Sequence, residues 1–337
     1  MLSEKYKENC YEHIEGSVHY CNGDLKVFKG NELSIDYSII DSMEFNANSS
    51  VFDDKTYKLK MNSEVFEKTF HILNTLLYKE NINFYRIISG GEKTYNSEKA
   101  NLYLDLMHAI STRLIIFHEL GHIYNGHLDY YQTFKTGAQG LSLFLNSSEN
   151  QLPPLESQVL EMDADAFAAT RIIGQFTFSP NIEAYNKIIP DLFKHHIHSL
   201  ILVIISSCIT FSIMGLGRKR EPGDYLSSKY LPLRTRQDYF VRCALNAYKI
   251  LNDDQTIYQE SELLDINFYR EVLFNVEQYV NLYYQEALGI HKDDMNSSNN
   301  KNELDEVLIK HADFLEDFWS IEMRSKLLPF AHLGLAY

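Results

Sequence analysis

Apolar and polar positions alternate early in the chain and then change to helical spacing. Residues 56–61, with the sequence TYKLKM, alternate apolar side chains with lysines, a period of two that is typical of a half-buried strand. The preceding segment SMEFNANSSVF predicts a second strand, with residues 53–55 as the turn between the two. Residues 1–40 show no clear period, and we expect irregular structure with short strands there.

Longer segments with helical spacing follow this strand pair. One helix is predicted from Ser63 through VFEKTFHILNTLLYK, and a long one from about Glu98 to Asn125, closed by Gly126. Residues 127–155 form a long connection with two glycines and a Pro-Pro pair, and residues 155–174 form another helix. A helical pattern with one small sheet near the start predicts an α+β fold.

The second half of the chain is predicted to be mostly helical. A polar, linker-like stretch, HKDDMNSSNNKNELDE, covers residues 291–306. We expect one domain over residues 1–240 and a helical C-terminal region over residues 241–337. The length of 337 residues is sufficient for this arrangement.

Residues 200–216 contain no charged side chain, which permits two interpretations. The length is at the lower limit for a membrane span, and Arg218–Arg220 would provide a basic flank. Alternatively, four serines and threonines dilute the segment, and a helix that is apolar all round can form the buried centre of a helical domain. We favour the buried helix, so membrane association is not favoured.

Charge and cysteine content narrow the possible partners and location. The formal net charge of −15 would repel a nucleic-acid backbone, so no nucleic-acid partner is expected. The four cysteines are scattered without a CxxC pair, which gives no indication of a thiolate zinc site. The polar N-terminal sequence has no apolar segment typical of a signal peptide, so a cytoplasmic location is expected.

The motif HELGH, from His118 to His122, predicts a zinc site. Residues four apart lie on one face of a helix, so both imidazoles can bind a single Zn²⁺ ion. Glu119 projects beside them, where it can act as general base towards a water molecule that zinc activates. The apolar residues just before the motif would bury the helix.

The third ligand is predicted to be Glu161, in the segment LEMDADAFAA. A metzincin would need glycine at Asn125 and histidine at Leu128, so that class is excluded. Glu161 and Asp165 are four residues apart on the same helical face, so Asp165 can accept a hydrogen bond from the distal nitrogen of a zinc-bound histidine. Asp163 lies on a neighbouring face, where we expect it to contribute little.

Other candidate residues have simpler interpretations. The acidic residues of 161–165 could form the solvated face of an amphipathic helix. His127 is expected to be a capping or surface residue just beyond a helix end. The histidines at positions 195, 196 and 198 could bind a metal but are more typical of an interfacial position before an apolar helix.

The combination of HELGHIYNGH with ExDADAFAA resembles the gluzincin pattern of HExxH plus ExxxD, as in ImmA/IrrE-type and Lit-type phage-exclusion peptidases. The segment 230–236 is similar to the H-P-P-x-x-x-R segment that packs over the site in such enzymes, with agreement at Pro232 and Arg236. The resemblance implies a zincin-like fold. It also places Tyr230 where the family has histidine, as a donor to the developing oxyanion.

These patterns together predict a zinc-dependent endopeptidase. It would hydrolyse a peptide bond, with the substrate extended along residues 57–61 as an edge strand. The resemblance implies one specific protein target, in a role such as phage defence. One alternative is a zinc-dependent binding or sensor module without catalysis. Another is a membrane-embedded zinc protease built around residues 200–216.

Overall fold

The fold is seen in a computed structural model that describes most of the chain. The described residues are 4–29, 34–53, 56–78, 81–133, 141–142, 152–177, 186–187, 192–193, 196–214, 226–228, 230–251, 266–288, 301–332 and 335. Within them the protein is mostly helical with one small sheet. The α+β class is thereby confirmed at this coarse level.

A helix covers much of the segment that was expected to be irregular. Helix α1 (Glu4–Lys29) packs against the long helix α4 (Ser97–Tyr124), so the prediction for residues 1–40 is wrong there. The buried apolar residues of α1 have helical spacing but include two cysteines, which made the pattern hard to recognise: they are Cys10, Ile14, Val18 and Cys21.

The sheet contains three seven-residue strands, β1 (Ser34–Ile40), β2 (Ala47–Asp53) and β3 (Thr56–Asn62), and a two-residue strand, β4 (Leu141–Ser142). The strand order is β1-β3-β2-β4. Strand β3 pairs with β1 in parallel and with β2 in antiparallel orientation. The two predicted strands are confirmed, but the prediction that residues 57–61 form an edge strand is wrong, because both edges of β3 are already paired.

The predicted helices around the HELGH motif are all present. After β3 come α2 (Ser63–Tyr78) and α3 (Ile82–Ile88), and then α4, whose first amide groups are capped by the side chain of Asn96. The predicted long connection holds two short elements, α5 (His127–Gln132) and β4. Helix α6 (Pro154–Phe176) then packs along α4.

The uncharged segment forms helix α7 (His196–Met214), which packs against α4 and α6 and against two later helices, α8 (Leu233–Leu251) and α9 (Ile266–Leu288). In this apolar setting Ser206, Ser207 and Thr210 donate hydrogen bonds to backbone carbonyls one turn earlier. The buried-helix interpretation is confirmed. Among the described residues no helix is both long and apolar enough to cross a membrane. The basic flank at 218–220 lies outside the described residues.

Later parts of the chain pack directly on the first part. The expected boundary at residue 240 lies within α8, and α10 (Lys301–Phe318) contacts both α6 and α8. His311 on α10 is hydrogen-bonded to Gln158 on α6 at 2.6 Å. A π-helical turn (Trp319–Met323) and α11 (Arg324–Leu327) extend α10. The linker-like stretch lies outside the described residues up to residue 300, and its last residues belong to α10.

The turn after α4 requires glycine at position 126. Gly126 has a φ of 77°, and a Cβ placed there would lie 2.4 Å from the carbonyl carbon of Phe330. Both the backbone conformation and the close approach therefore exclude a side chain. The backbone N–H of His332 donates a hydrogen bond to the carbonyl of Tyr124 at 2.8 Å, so the same segment caps the end of α4.

We expect Gly126→Ala to lower the free energy of unfolding by more than about 2 kcal/mol, through left-handed backbone strain and the displacement of the segment at Phe330. The matched control is Gly16→Ala in α1, where nothing lies within 4 Å of the added Cβ. The control should be neutral or slightly stabilising, because alanine is favoured over glycine inside a helix. Urea unfolding of both variants measures the difference, and equal midpoints would contradict the role of Gly126.

Candidate metal centre

Helices α4 and α6 approach closely enough to share one cluster of ligands. Gly121, in the middle of HELGH, permits this approach: a Cβ there would lie 3.1 Å from Cα of Ala164 and 3.2 Å from Cβ of Phe167. A side chain at this position would require the facing residues of α6 to shift by a few tenths of an ångström. On α6 the small residue Ala164 lies at this contact.

His118, His122 and Glu161 come together in this contact and are all buried. The Nε2 atoms of the two histidines are 3.2 Å apart. Oε2 of Glu161 lies 3.4 Å from Nε2 of His118, and Oε1 lies 3.6 Å from Nε2 of His122. Three donor atoms about 2.0–2.1 Å from a tetrahedral zinc ion stand about 3.3 Å apart, so the cluster fits such an ion without rearrangement.

Glu119 lies beside this triad with its two carboxylate oxygens in different surroundings. Ser49 on β2 donates a hydrogen bond to Oε2 at 2.8 Å. The other oxygen, Oε1, is buried and has no hydrogen-bond partner within the described part of the chain. Burial raises the pKa of Glu119 to about 7, although His118 and Ser49 oppose the rise. An unpartnered carboxylate oxygen with a pKa near neutrality is suited to accept a proton.

Asp165 supports His118 from behind, as the spacing predicted. Its Oδ1 lies 2.8 Å from Nδ1 of His118. Burial acts to lower the pKa of His118, but the hydrogen bond and charge of Asp165 outweigh it and raise that pKa to about 9. The Nδ1–H group of His118 therefore faces the carboxylate, and Nε2 faces the cluster.

Arg236 completes the surroundings of Asp165. Its Nε and one terminal nitrogen donate to the two carboxylate oxygens at 2.6 and 2.7 Å, a bidentate pair buried from solvent. Burial opposes ionisation of Asp165, but the charge of Arg236 keeps the pKa of Asp165 below its usual range. Phe211 of α7 packs on the guanidinium, with its ring centre 4.8 Å away. The sequence pointed to Arg236 only by resemblance and gave no sign that it would pair with Asp165.

The remaining two members of the cluster differ in charge. Burial and the neighbouring His118 hold the pKa of His122 well below its ordinary value, so this imidazole is neutral. Burial acts to raise the pKa of Glu161, but the hydrogen bond and charge of His118 lower it to about 2. A neutral imidazole and an ionised carboxylate are the forms that bind zinc.

For the rest of the motif, one alternative interpretation is excluded and one expectation is wrong. The acidic residues of α6 do not form a solvated face, because Glu161, Asp163 and Asp165 are all buried. His127 is not a surface residue either: it is fully buried, and its Nδ1 lies 2.9 Å from Nδ1 of His122. The left-handed turn at Gly126 directs the chain back towards α4, which the sequence pattern alone does not indicate.

The other candidate residues are not part of the His118, His122 and Glu161 cluster, or lie outside the described chain. Tyr230 is half-buried just before α8, and its backbone N–H donates a hydrogen bond to Oγ of Ser228. Neither feature tests its catalytic role, which stays a prediction. His198 is buried, with Nε2 bonded to the carbonyl of Ile88. His195 and the side chain of His196 lie outside the described residues. The thiols of Cys10, Cys208 and Cys243 form no disulfide within the described residues.

Comparison with known proteins finds no match: no protein-family model, curated protein or solved structure corresponds to this chain. The site is therefore interpreted from its own geometry. It consists of two histidines and a glutamate with the spacing of a metal site, a carboxylate beside them, and an arginine-aspartate pair behind one histidine.

Proposed function

We propose that this protein is a zinc-dependent endopeptidase that hydrolyses a peptide bond of a specific protein target. The observation that carries the proposal is the buried triad of His118, His122 and Glu161 with the unpartnered Oε1 of Glu119 beside it. The donor set of two imidazoles and one carboxylate is typical of catalytic zinc sites, which leave a fourth position open.

Each residue of the site has a separate role in the proposed hydrolysis. When bound, zinc supplies a Lewis acid that polarises the carbonyl and lowers the pKa of water to about 7. Glu119 accepts the proton of the attacking water through Oε1 while Ser49 holds Oε2 in place. As the carbon–nitrogen bond breaks, Glu119 returns that proton to the leaving amine. Tyr230 is the proposed donor to the oxyanion, as the resemblance implies.

Strand β2 is the proposed support for an extended substrate. It contacts α4 and carries Ser49, which is bonded to Glu119, whereas β3 is enclosed between two strands. On its other side β2 is paired with β4 at Asn48 and Ser49, and the described residues show no strand partner there for residues 50–53. A peptide added beside residues 50–53 would lie directly after Ser49, whose side chain is bonded to the general base.

We expect Glu119→Gln to keep the metal and the fold but to reduce hydrolysis at least 100-fold, because it removes the base and leaves all three ligands. Elemental analysis of wild type and variant should give about one zinc per chain in both. Expression in a bacterial host is the activity assay: a damaging target-specific protease should slow growth, and the variant should relieve the effect.

Three outcomes would change this proposal. Absence of a transition metal from wild-type protein purified without chelator would remove the zinc site. Equal activity of wild type and Glu119→Gln would exclude Glu119 as the base. Normal zinc content with wild type and variant equally inert on every candidate protein would favour the binding or sensor module.

A further inference from the structure

A buried line of hydrogen bonds leads from His122 away from the triad and has no part in the proposed reaction. Nδ1 of His122 lies 2.9 Å from Nδ1 of His127, and Nε2 of His127 lies 2.9 Å from Oδ2 of Asp163. Asn125 donates to the same carboxylate oxygen at 2.5 Å. His127 is 0% and Asp163 5% exposed, so water does not substitute for these bonds.

The positions of the hydrogens in this line follow from its two ends. Asp163 at one end is a carboxylate that only accepts, so Nε2 of His127 carries a hydrogen and donates it. A neutral His127 then has a lone pair on Nδ1, which accepts the Nδ1–H of His122. This arrangement leaves the Nε2 lone pair of His122 directed at the cluster, which is the tautomer that a metal requires.

We infer that His127 is a positioning residue, which with Asp163 fixes the orientation and the tautomer of the ligand His122. The two histidine ligands are thus supported by separate carboxylates, His118 directly by Asp165 and His122 through the ring of His127. This inference rests on the metal centre of the proposed function but not on peptidase activity.

The geometry excludes His127 as a metal ligand itself. Both of its ring nitrogens are engaged, one by His122 and the other by Asp163. The contact to His122 is made on the Nδ1 side of that ring, whereas the cluster forms on the Nε2 side. The metal-site atoms within 4.8 Å of one another belong to His118, His122 and Glu161.

The fold holds His127 in place independently of any metal. It is the first residue of α5, directly after the left-handed turn at Gly126. The backbone of Phe330 and Ala331 packs against that turn. A ring fixed from both sides can orient His122 before zinc arrives, which lowers the cost of ordering the ligand.

A zinc competition titration of the full chain against a chromophoric chelator tests the inference. We expect His127→Leu, which can neither accept nor donate, to lower zinc affinity by about 10- to 100-fold, the usual cost of losing such a support. His127→Gln should stay within about 3-fold of wild type, because its amide offers an acceptor and a donor side by side. Asp163→Asn should weaken binding by an intermediate factor.

His108→Leu is the matched control. Like His127, His108 is a buried histidine, but it lies on α4 and is hydrogen-bonded to the carbonyl of Phe66, away from the cluster. Its replacement should leave zinc affinity unchanged even if stability falls. A merely structural loss would affect both leucine variants alike and would not be rescued by glutamine.

Each departure from these results has a defined meaning. Wild-type affinity in His127→Leu, or equal weakness of the leucine and glutamine variants, would overturn the positioning role. Zinc loss in His127→Leu as complete as in His122→Ala would make His127 a ligand and overturn it as well. If His127→Leu does not fold, the zinc affinities of His127→Gln and Asp163→Asn still test the inference. Wild-type affinity in Asp163→Asn would refute a role for the hydrogen bonds from His122 through His127 to Asp163. A wild-type protein without zinc would instead reject the metal centre.

Discussion

Replacement of His118 or His122 by alanine is expected to abolish stable zinc binding, with an affinity loss well above the roughly 100-fold that follows removal of a supporting residue. Each change leaves two ligands where a catalytic zinc site uses three. In the unmutated protein the Glu161 oxygens lie 3.4 Å from Nε2 of His118 and 3.6 Å from Nε2 of His122. A single remaining histidine with Glu161 cannot enclose an ion. Elemental analysis after dialysis should fall from about one zinc per chain to near zero.

His108→Ala provides the control for removing a buried imidazole from the same helix. It should keep its zinc, because His108 faces the carbonyl of Phe66. Retention of zinc by both His118→Ala and His122→Ala would show that the metal is bound elsewhere, and the proposed centre would then be wrong.

Arg236→Ala is expected to lower the free energy of unfolding of the metal-free protein by about 3–5 kcal/mol. The change removes both bidentate hydrogen bonds and leaves the fully buried carboxylate of Asp165 with only His118 as a charged partner. Removing one partner of a buried ion pair carries a penalty of this size. The loss of packing on Phe211 adds to it. Urea unfolding in the presence of chelator measures the effect.

Two variants show whether the pair itself is responsible. Lys310→Ala removes an exposed ion pair with Glu306, both side chains more than 70% exposed, and should cost less than about 1 kcal/mol. Arg236→Lys keeps the charge but loses the planar pair of donors, so it should fall between wild type and alanine. An Arg236→Ala protein as stable as Lys310→Ala would contradict the importance of the buried pair.

The cluster of His118, His122 and Glu161 could be predicted because its geometry is local. Two histidines four apart on a helix define one face wherever that helix lies, and Glu161 with Asp165 repeats the same rule on a second helix. Contact between the two helices needed only that their facing surfaces be small, as Gly121 and Ala164 are.

The errors came from information that a local pattern does not contain. An alternation of apolar residues identifies β3 as a strand but does not tell how many neighbours it has, so its central position was missed. The burial of His127 was missed, because it follows from the chain reversal at Gly126. That reversal depends on backbone contacts with residue 330, which a local pattern does not contain. Asp163 was judged by its helical face alone, and the structure shows that this face contacts His127; its small contribution to zinc binding stays untested.

Arg236 could not be linked to Asp165 by any spacing rule, since 71 residues separate them. That separation also determines the order in which the two residues are synthesised. At about 5–20 residues per second, a ribosome adds the arginine roughly 4–14 s after the aspartate. The segment around Phe330 that closes the turn at Gly126 is synthesised later still. A nascent chain therefore carries the two histidines, Glu161 and the supporting Asp163 and Asp165 before it carries Arg236 or the segment at residue 330. We expect the centre to reach its final packing only after that segment has been made.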